Sequence, residues 1–309
     1  MSDYPSFADG VRCALNTAMT EMWQIYRQKP GWRVALTSGK GGTGDWKAFN
    51  RSLDDVYAAC AAWKSALGEV KHPWLCWSVN GEWCALQQKL ILEVGWTPVV
   101  GWDPNCSASR PPIVPGAVAI DFNAPFGFPA MWAHFPLEFA FLWAPCLAFW
   151  HSDLLVRINK LEQLAALFRR LKDGEFAAVR SIGGIRNTLN WRTHRYWELI
   201  GCTTRSASEH QFLHGCGWWR NFYLHPNAPP DEVRRRSRYW YEHGVGIMYW
   251  KRRYRRRVIN LDERTVSEGH CTRIGNPNYR TDDDKGKELA HNFDLSKEAA
   301  RLGLARFLD

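Results

Sequence analysis

The sequence predicts an α/β fold: a mixed, mostly parallel sheet flanked by helices, followed by an irregular, aromatic-rich second half. Three observations lead there. Short apolar runs alternate with stretches of helical period through residues 31–180, and alternation of that kind implies a mostly parallel sheet. One run, Cys146 to Trp150, ends abruptly on His151-Ser152-Asp153 and is followed by the helix-patterned stretch Ile158 to Leu171. Polar groups are thereby placed at the carboxyl end of a strand, where open α/β sheets bind their ligands. From Trp191 to Trp250 the periodicity weakens while Trp, Tyr, His, Gly and Arg accumulate, so the regular alternation stops there.

Residues 1–30 read as a leading helix, with Val11, Leu15, Met19 and Met22 near helical spacing and Pro30-Gly31 as its stop. Arg33 to Ser38 reads as the first strand, closed by the glycine loop Gly39 to Gly44. Helices are expected over Leu53 to Leu67 and Trp83 to Val94, and a strand over Trp96 to Trp102. A Pro-rich connection from Pro104 to Pro115 leads to strand Ala117 to Ile120 and a helical segment near Ala130 to Trp143. The strand at 145–151, the helix at 158–171 and the strand Phe176 to Arg180 complete a nucleotide-binding type of half at 31–180. Residues 181–280 read as a partner-binding half of the same core, with a strand-like run Arg257 to Leu261. Residues 281–309 form an acidic tail ending in a helix at Ser296 to Leu302.

Composition narrows the class. A chain of 309 residues, 46% hydrophobic and 23% charged, buries a sizeable core and is no disordered tail. No stretch approaches the roughly 20 apolar residues of a bilayer span, because Asp121, His134, Glu138 and Asp153 interrupt the most apolar region. The start, Met1 to Arg12, carries acids and lacks an apolar signal core, so a cytoplasmic protein is expected. Nine scattered cysteines with no Cys-x-x-Cys pair argue against a disulfide framework and a cysteine-rich zinc site. The net charge of +9 comes largely from Arg234 to Arg238 and Lys251 to Arg257, clusters dense enough to draw polyanions or phosphates. Eighteen tryptophans supply core area, and about a quarter of them are assigned to a binding surface where a flat face stacks on a sugar or base.

The loop Ser38 to Gly44 resembles the start of the phosphate loop of the deviant Walker ATPases. Those loops need Lys and Ser or Thr after the last glycine, and Asp45 and Trp46 stand there, so no ATPase is implied. Two readings stay open: an exposed turn, or a nucleotide approached by Thr37, Ser38 and the loop amides with Lys40 at a phosphate.

His151-Ser152-Asp153 is the sharper signal. An apolar strand, a variant D-x-D, a Leu/Val run, an amphipathic helix and a short Ala-Ala-Val strand resemble the GT-A fold glycosyltransferases, with His151 in place of the first Asp. The resemblance implies a Rossmann-related nucleotide-sugar site in which Asp153 binds Mn²⁺ or Mg²⁺ bridging the donor diphosphate; His151 departs from the pattern and is left open as a nitrogen ligand, a ribose contact or neither. Such a leaving group needs its developing charge neutralised, and a carboxylate suits a hard cation. The competing reading of Asp153 is a cap of the following helix. His270, in Ser267-Glu-Gly-His-Cys271, resembles the late His ligand of metal-dependent members; a structural turn histidine is its alternative.

Four further readings complete the set. His210, His214, Cys216 and His225 have spacing open to zinc. Gly215 to Asn221 resembles the small-residue, aromatic strand of an acceptor side, with Trp218 or Trp219 as stacking rings or as core packing. Glu198 and Glu209 are equal candidates for a catalytic base. Asp103, closing a predicted strand, belongs near the nucleoside with Thr37 and Ser38. The expected function is therefore transfer of a sugar from a nucleotide-sugar to an acceptor hydroxyl. Arg252 and Arg253 are expected to meet an anionic acceptor: nucleic acid bearing a modified base, a glycan or a lipid head group. The alternative is a non-enzymatic, basic nucleic-acid-binding protein.

Overall fold

A strand in the middle of a covered sheet shows no apolar–polar alternation, because both of its faces meet a core. Pro73–Ser78 is such a strand, with all six residues buried, and it was not among the expected elements. The structure, a computed structural model, describes residues 34–37, 46–49, 53–104, 110–127, 131, 133–180, 195–218, 225, 227, 244–271 and 294–308. Its strands are Val34–Thr37 (β1), Trp46–Phe49 (β2), Pro73–Ser78 (β3), Thr97–Trp102 (β4), Val118–Ala119 (β5), Cys146–Trp150 (β6), Leu154–Leu155 (β7), Phe176–Arg180 (β8), Tyr196–Thr204 (β9), Val258–Leu261 (β10) and Gly269–His270 (β11). The helices are Leu53–Leu67 (α1), Gly81–Glu93 (α2), His134–Glu138 (α3), Ala140–Trp143 (α4), Ile158–Arg169 (α5), Arg205–Leu213 (α6), Val245–Arg253 (α7), Glu263–Val266 (α8) and Leu295–Arg301 (α9).

Seven strands form one sheet in the order β10-β8-β9-β6-β3-β4-β5. β3 is parallel to β4 and β6, β4 to β5, and β10 to β8, whereas β9 is antiparallel to both β6 and β8. Every strand but β9 therefore points the same way, and the sheet is mixed but mostly parallel, as expected. β9 and β10, from the segment 181–280, complete the sheet begun by the first half.

Alternation across the pleat feeds two apolar layers. Leu75 and Trp77 of β3 and Leu147 and Phe149 of β6 face a core that includes Val56, Trp63, Trp143, Trp218 and Trp250. Trp74, Cys76, Ala148 and Trp150 face the other, with Leu90, Ile91, Leu161 and Phe168. Trp63 meets Phe122 edge-on with centroids 5.0 Å apart, and Trp74 meets Trp96 at 5.4 Å, the geometry aromatic quadrupoles favour. The tryptophans thus serve mainly as core: Trp63, Trp74, Trp77, Trp83, Trp96, Trp143, Trp150, Trp218 and Trp250 are all buried.

Local signals set the ends. Asn80 accepts from the Trp83 amide to cap α2, and Asp294 caps α9 through the Lys297 amide. The helix expected near 130–143 is split at Phe139 into α3 and α4, with Trp143 Nε1 donating across the break to the Pro136 carbonyl at 2.9 Å.

One expectation is corrected. β1 pairs antiparallel with β2, Thr37 opposite Trp46, in a separate two-stranded sheet. Thr37 therefore closes no strand of the main sheet. Ser38, Lys40 and the rest of the glycine loop, like the leading helix at 1–30, lie outside the described residues.

The topology also picks a place for a ligand. From β3 the chain moves outward through β4 to β5, then returns to place β6 on the other side of β3. The crevice beyond the carboxyl ends of β3 and β6 is the switch point where such sheets bind ligands.

Candidate metal centre

At the end of β6 the His151 amide donates to the Leu199 carbonyl at 2.8 Å, extending the ladder to β9. The Leu154 amide then returns to the His151 carbonyl at 3.1 Å, closing a turn that carries Asp153. Gln87, a fully buried residue of α2, pins both ends: its Nε2 donates to the carbonyls of His151 at 3.0 Å and Leu154 at 2.7 Å. Sequence reasoning missed Gln87, because a glutamine in a helix carries no signal of what it will bridge.

The partner strand arrives from far along the chain. β7 pairs antiparallel with β11, His270 opposite Leu154 and Gly269 opposite Leu155, and the Cys271 amide donates to the Asp153 carbonyl at 2.9 Å. Only glycine fits at 269, since a Cβ there would stand 2.2 Å from the Leu155 carbonyl oxygen. Behind β11, Arg157 grips the Glu268 carboxylate through two bonds of 2.9 and 2.7 Å, while Arg301 of α9 donates to the Glu268 carbonyl at 2.8 Å.

These contacts bring together side chains 119 residues apart. His151 Nδ1 lies 2.5 Å from Asp153 Oδ1, and His270 Nε2 lies 3.1 Å from the same oxygen and 3.3 Å from His151 Nδ1. Among the described residues this is the group of His, Cys, Asp and Glu side chains able to hold a metal ion. Side-chain exposure is 8% for Asp153, 18% for His270 and 30% for His151, so the carboxylate is buried while the imidazoles reach the surface. The capping alternative for Asp153 fails, because the amino-terminal cap position of α5 is Arg157, four residues later.

Electrostatics follow from that packing. Burial pushes the Asp153 carboxyl up, but His151 and His270, by charge and hydrogen bond, overcome it and hold the group well below the usual carboxylate range. For His151 burial disfavours the charged ring, yet Asp153 and then Glu198 outweigh it and lift the imidazole to about 9. Glu198 Oε1 lies 3.8 Å from His151 Nε2 and 3.1 Å from His134 Nε2. His134, at the start of α3, had no signal in the sequence.

Strand direction separates the two carboxylates the sequence left equal. β9 runs against β6, so Glu198, near its start, stands at the carboxyl edge of the parallel strands. Glu209 is exposed on α6, beyond the other end of β9, which removes it from the site. Asp103 follows β4 at the same edge as the triad and is buried.

The acceptor side departs from expectation. Trp218 is 1% exposed, with its ring 5.1 Å from Phe149 and 5.8 Å from Phe176, so it is core and cannot stack on an acceptor. Residues 215–218 form a turn and bend instead of a strand, and Trp219 lies outside the described residues. Arg252 and Arg253 end α7, where Lys251 Nζ donates to Tyr196 Oη at 2.8 Å. Burial, with the like charges of Arg180 and Arg252, lowers the Lys251 pKa. Arg180, which closes β8, is in register with Tyr196, so these cations share the edge that carries Glu198. Arg257 is engaged elsewhere, with Glu175 at 2.8 Å.

The zinc grouping is not assembled. His210 and His214 stack with centroids 3.9 Å apart, His214 Nδ1 meets the His210 carbonyl at 2.8 Å, and His225 Nε2 is bound to Glu138 at 2.9 Å. Cys60, Cys76, Cys84, Cys146, Cys202, Cys216 and Cys271 are free thiols. Among the described residues no helix is long and apolar enough to cross a membrane.

Comparison with protein-family models, curated proteins and solved structures finds no match to this chain. Fold and site together define an α/β protein with a two-histidine, one-aspartate cluster at the topological switch point of its sheet.

Proposed function

We propose that the protein is a metal-dependent glycosyltransferase that takes a nucleotide-sugar donor and transfers its sugar to an acceptor hydroxyl. One observation carries this reading: Asp153 of the variant D-x-D motif and the late His270 stand 3.1 Å apart at the carboxyl edge of a mostly parallel sheet.

His151, Asp153 and His270 would hold the ion, and their deprotonated forms offer three donor atoms on one side, leaving other positions open. A bound divalent cation supplies neutralisation of the charge that develops on a departing nucleoside diphosphate. The chain's own contribution is a pinned turn that fixes Asp153 and an adjacent set of cations, Arg180, Lys251 and Arg252, that favours anionic donor groups. Asp103 at the end of β4 is placed to meet the nucleoside side of the same crevice. The acceptor class that suits the basic segment ending α7 is anionic, with nucleic acid among its members.

The test uses the full chain, stripped with chelator, with Mn²⁺ and a panel of nucleotide-sugars, reading donor hydrolysis and thermal shift. Wild type is expected to respond to nucleotide only with metal, and Asp153→Ala to lose that response. A wild-type protein with no metal-dependent response, but with salt-sensitive DNA binding that Asp153→Ala leaves intact, would establish the binding protein instead.

A further inference from the structure

We propose that His151, Asp153 and His270 select a first-row transition ion of the Fe²⁺ to Zn²⁺ series over Mg²⁺, and that Glu198 is the positioning carboxylate for His151, an inference that rests on reading the triad as a metal site. The donor set comes first. Two of its three atoms are imidazole nitrogens, which suit Zn²⁺, Fe²⁺, Ni²⁺ and Co²⁺. Mg²⁺ takes oxygen ligands and releases its waters reluctantly. Had residue 151 been an aspartate, two of three donors would be carboxylate oxygens and that preference would weaken.

The spacing is of the right size. An ion about 2.1 Å from each donor needs donor separations of about 3.0 Å on an octahedral face and about 3.4 Å on a tetrahedral one. Two edges of the triangle measure 3.1 and 3.3 Å. The third, 2.5 Å, is the His151–Asp153 hydrogen bond, and it opens by about half an ångström when an ion replaces the shared proton.

The orientation of His151 brings in Glu198. Nδ1 faces the other two donors, while Nε2 faces Glu198 Oε1 at 3.8 Å. With Nδ1 bound to metal, the ring keeps its one proton on Nε2, directed at a carboxylate. At 3.8 Å the pair stands beyond hydrogen-bond distance, so the ring and carboxylate must close by about 0.8 Å to give the outer arrangement which fixes tautomer and ring orientation in histidine-ligated metal sites. Glu198 is itself held by His134 at 3.1 Å and is 13% exposed, so it is a fixed acceptor.

The experiment titrates Co²⁺, Zn²⁺ and Mg²⁺ alone into the chelator-stripped full chain by calorimetry. One Co²⁺ or Zn²⁺ per chain is expected, bound at least ~100-fold more tightly than Mg²⁺, with His151→Asp narrowing that ratio at least tenfold. Glu198→Gln is expected to weaken Co²⁺ by about 10- to 100-fold and to alter the visible Co²⁺ spectrum, while the metal-free melting temperature stays near wild type. His134→Gln, which loosens Glu198, should give a smaller loss in the same direction and serves if Glu198→Gln fails to fold. Mg²⁺ binding within tenfold of Co²⁺ overturns the selectivity and leaves the metal-dependent reading standing. Co²⁺ affinity and spectrum unchanged in the Glu198 and His134 variants overturn the positioning role. A wild-type chain that binds no ion overturns both the inference and the reading beneath it.

Discussion

Replacing Gly269 by alanine tests how His270 is delivered without touching a donor atom. The added Cβ would stand 2.2 Å from the Leu155 carbonyl oxygen and 2.7 Å from Leu302 Cδ1. The leucine tip can move, but the backbone oxygen belongs to β7 and cannot. Carbon–oxygen contacts settle near 3.3 Å or beyond, so the strands must part by about 1 Å. Their pairing is two residues long, extended by the single bond from the Cys271 amide to the Asp153 carbonyl, so little holds the register. A shift of that size takes His270 Nε2 from 3.1 Å to about 4 Å from Asp153 Oδ1, beyond the separation of about 3.0–3.4 Å that an octahedral face or a tetrahedron gives. Overpacking of this kind costs about 1–3 kcal/mol, which, if relieved only by giving up the metal-ready arrangement, corresponds to roughly 5- to 150-fold in affinity. Calorimetric titration of Co²⁺ into stripped Gly269→Ala reads that loss directly. An affinity within twofold of wild type would refute the claim that close approach of β11 to β7 builds the site.

Three further outcomes follow from packing and charge. Gln87→Leu removes the donors to the His151 and Leu154 carbonyls at nearly constant volume. It should cost ~1–3 kcal/mol in chemical denaturation and weaken metal binding; a neutral result would mean the turn holds itself. Trp218→Ala, at a fully packed site, should destabilise by about 3–5 kcal/mol with little change in KM for acceptor, and the reverse pattern would restore it as a stacking residue. Burial, then His214 and Arg256, push the His210 pKa down to about 4, so the unfolded chain takes up that proton first. Its contribution is whole above about pH 6.5 and is lost as pH falls from there towards 4. Denaturation midpoints across that range should fall more for wild type than for His210→Gln, and parallel curves would exclude the effect.

The elements legible in the sequence were those with local signals. The helix Leu53–Leu67 and the strand Phe176–Arg180 fall where they were expected, since the one has the helical period and the other is a short apolar run between turns. β3 was missed because a strand buried on both faces has no alternation and this one opens with proline. β9 was missed because its nine residues mix Tyr, Trp, Glu and Thr, a pattern set by crossing between two neighbours. For the site, the motif was legible and the support was not. Asp153 and His270 could be named from sequence, but Gln87, Gly269 and His134 act through contacts that exist only after folding. The choice between Glu198 and Glu209 needed one fact absent from composition or spacing, the direction of β9. Trp218 stayed open between stacking and packing because a tryptophan beside glycines looks the same in a core as at a surface, and its burial decides for the core.

The two halves of the candidate metal cluster are held in different ways, and that asymmetry has a thermodynamic consequence. His151 and Asp153 sit on a turn closed locally and pinned by a buried glutamine. His270 depends on a two-residue strand backed by Arg157, Glu268 and Arg301, whose side chains are 41–45% exposed. Exposed ion pairs contribute little, of order 0–1 kcal/mol, so they orient β11 more than they stabilise it. In the metal-free protein β11 is expected to open before the turn does, whereas α9 is anchored in the core by Ala299 and, just past its end, by Leu302 and Leu304. An ion bound to all three side chains binds the closed form alone and stabilises it by its own mass-action term, about 2.7 kcal/mol at a hundredfold excess over Kd. Hydrogen exchange should accordingly show metal-dependent protection at Cys271, whose amide donates to the Asp153 carbonyl, with the amides of α9, β3 and β6 unchanged. Equal protection with and without metal would place His270 outside the metal's coordination.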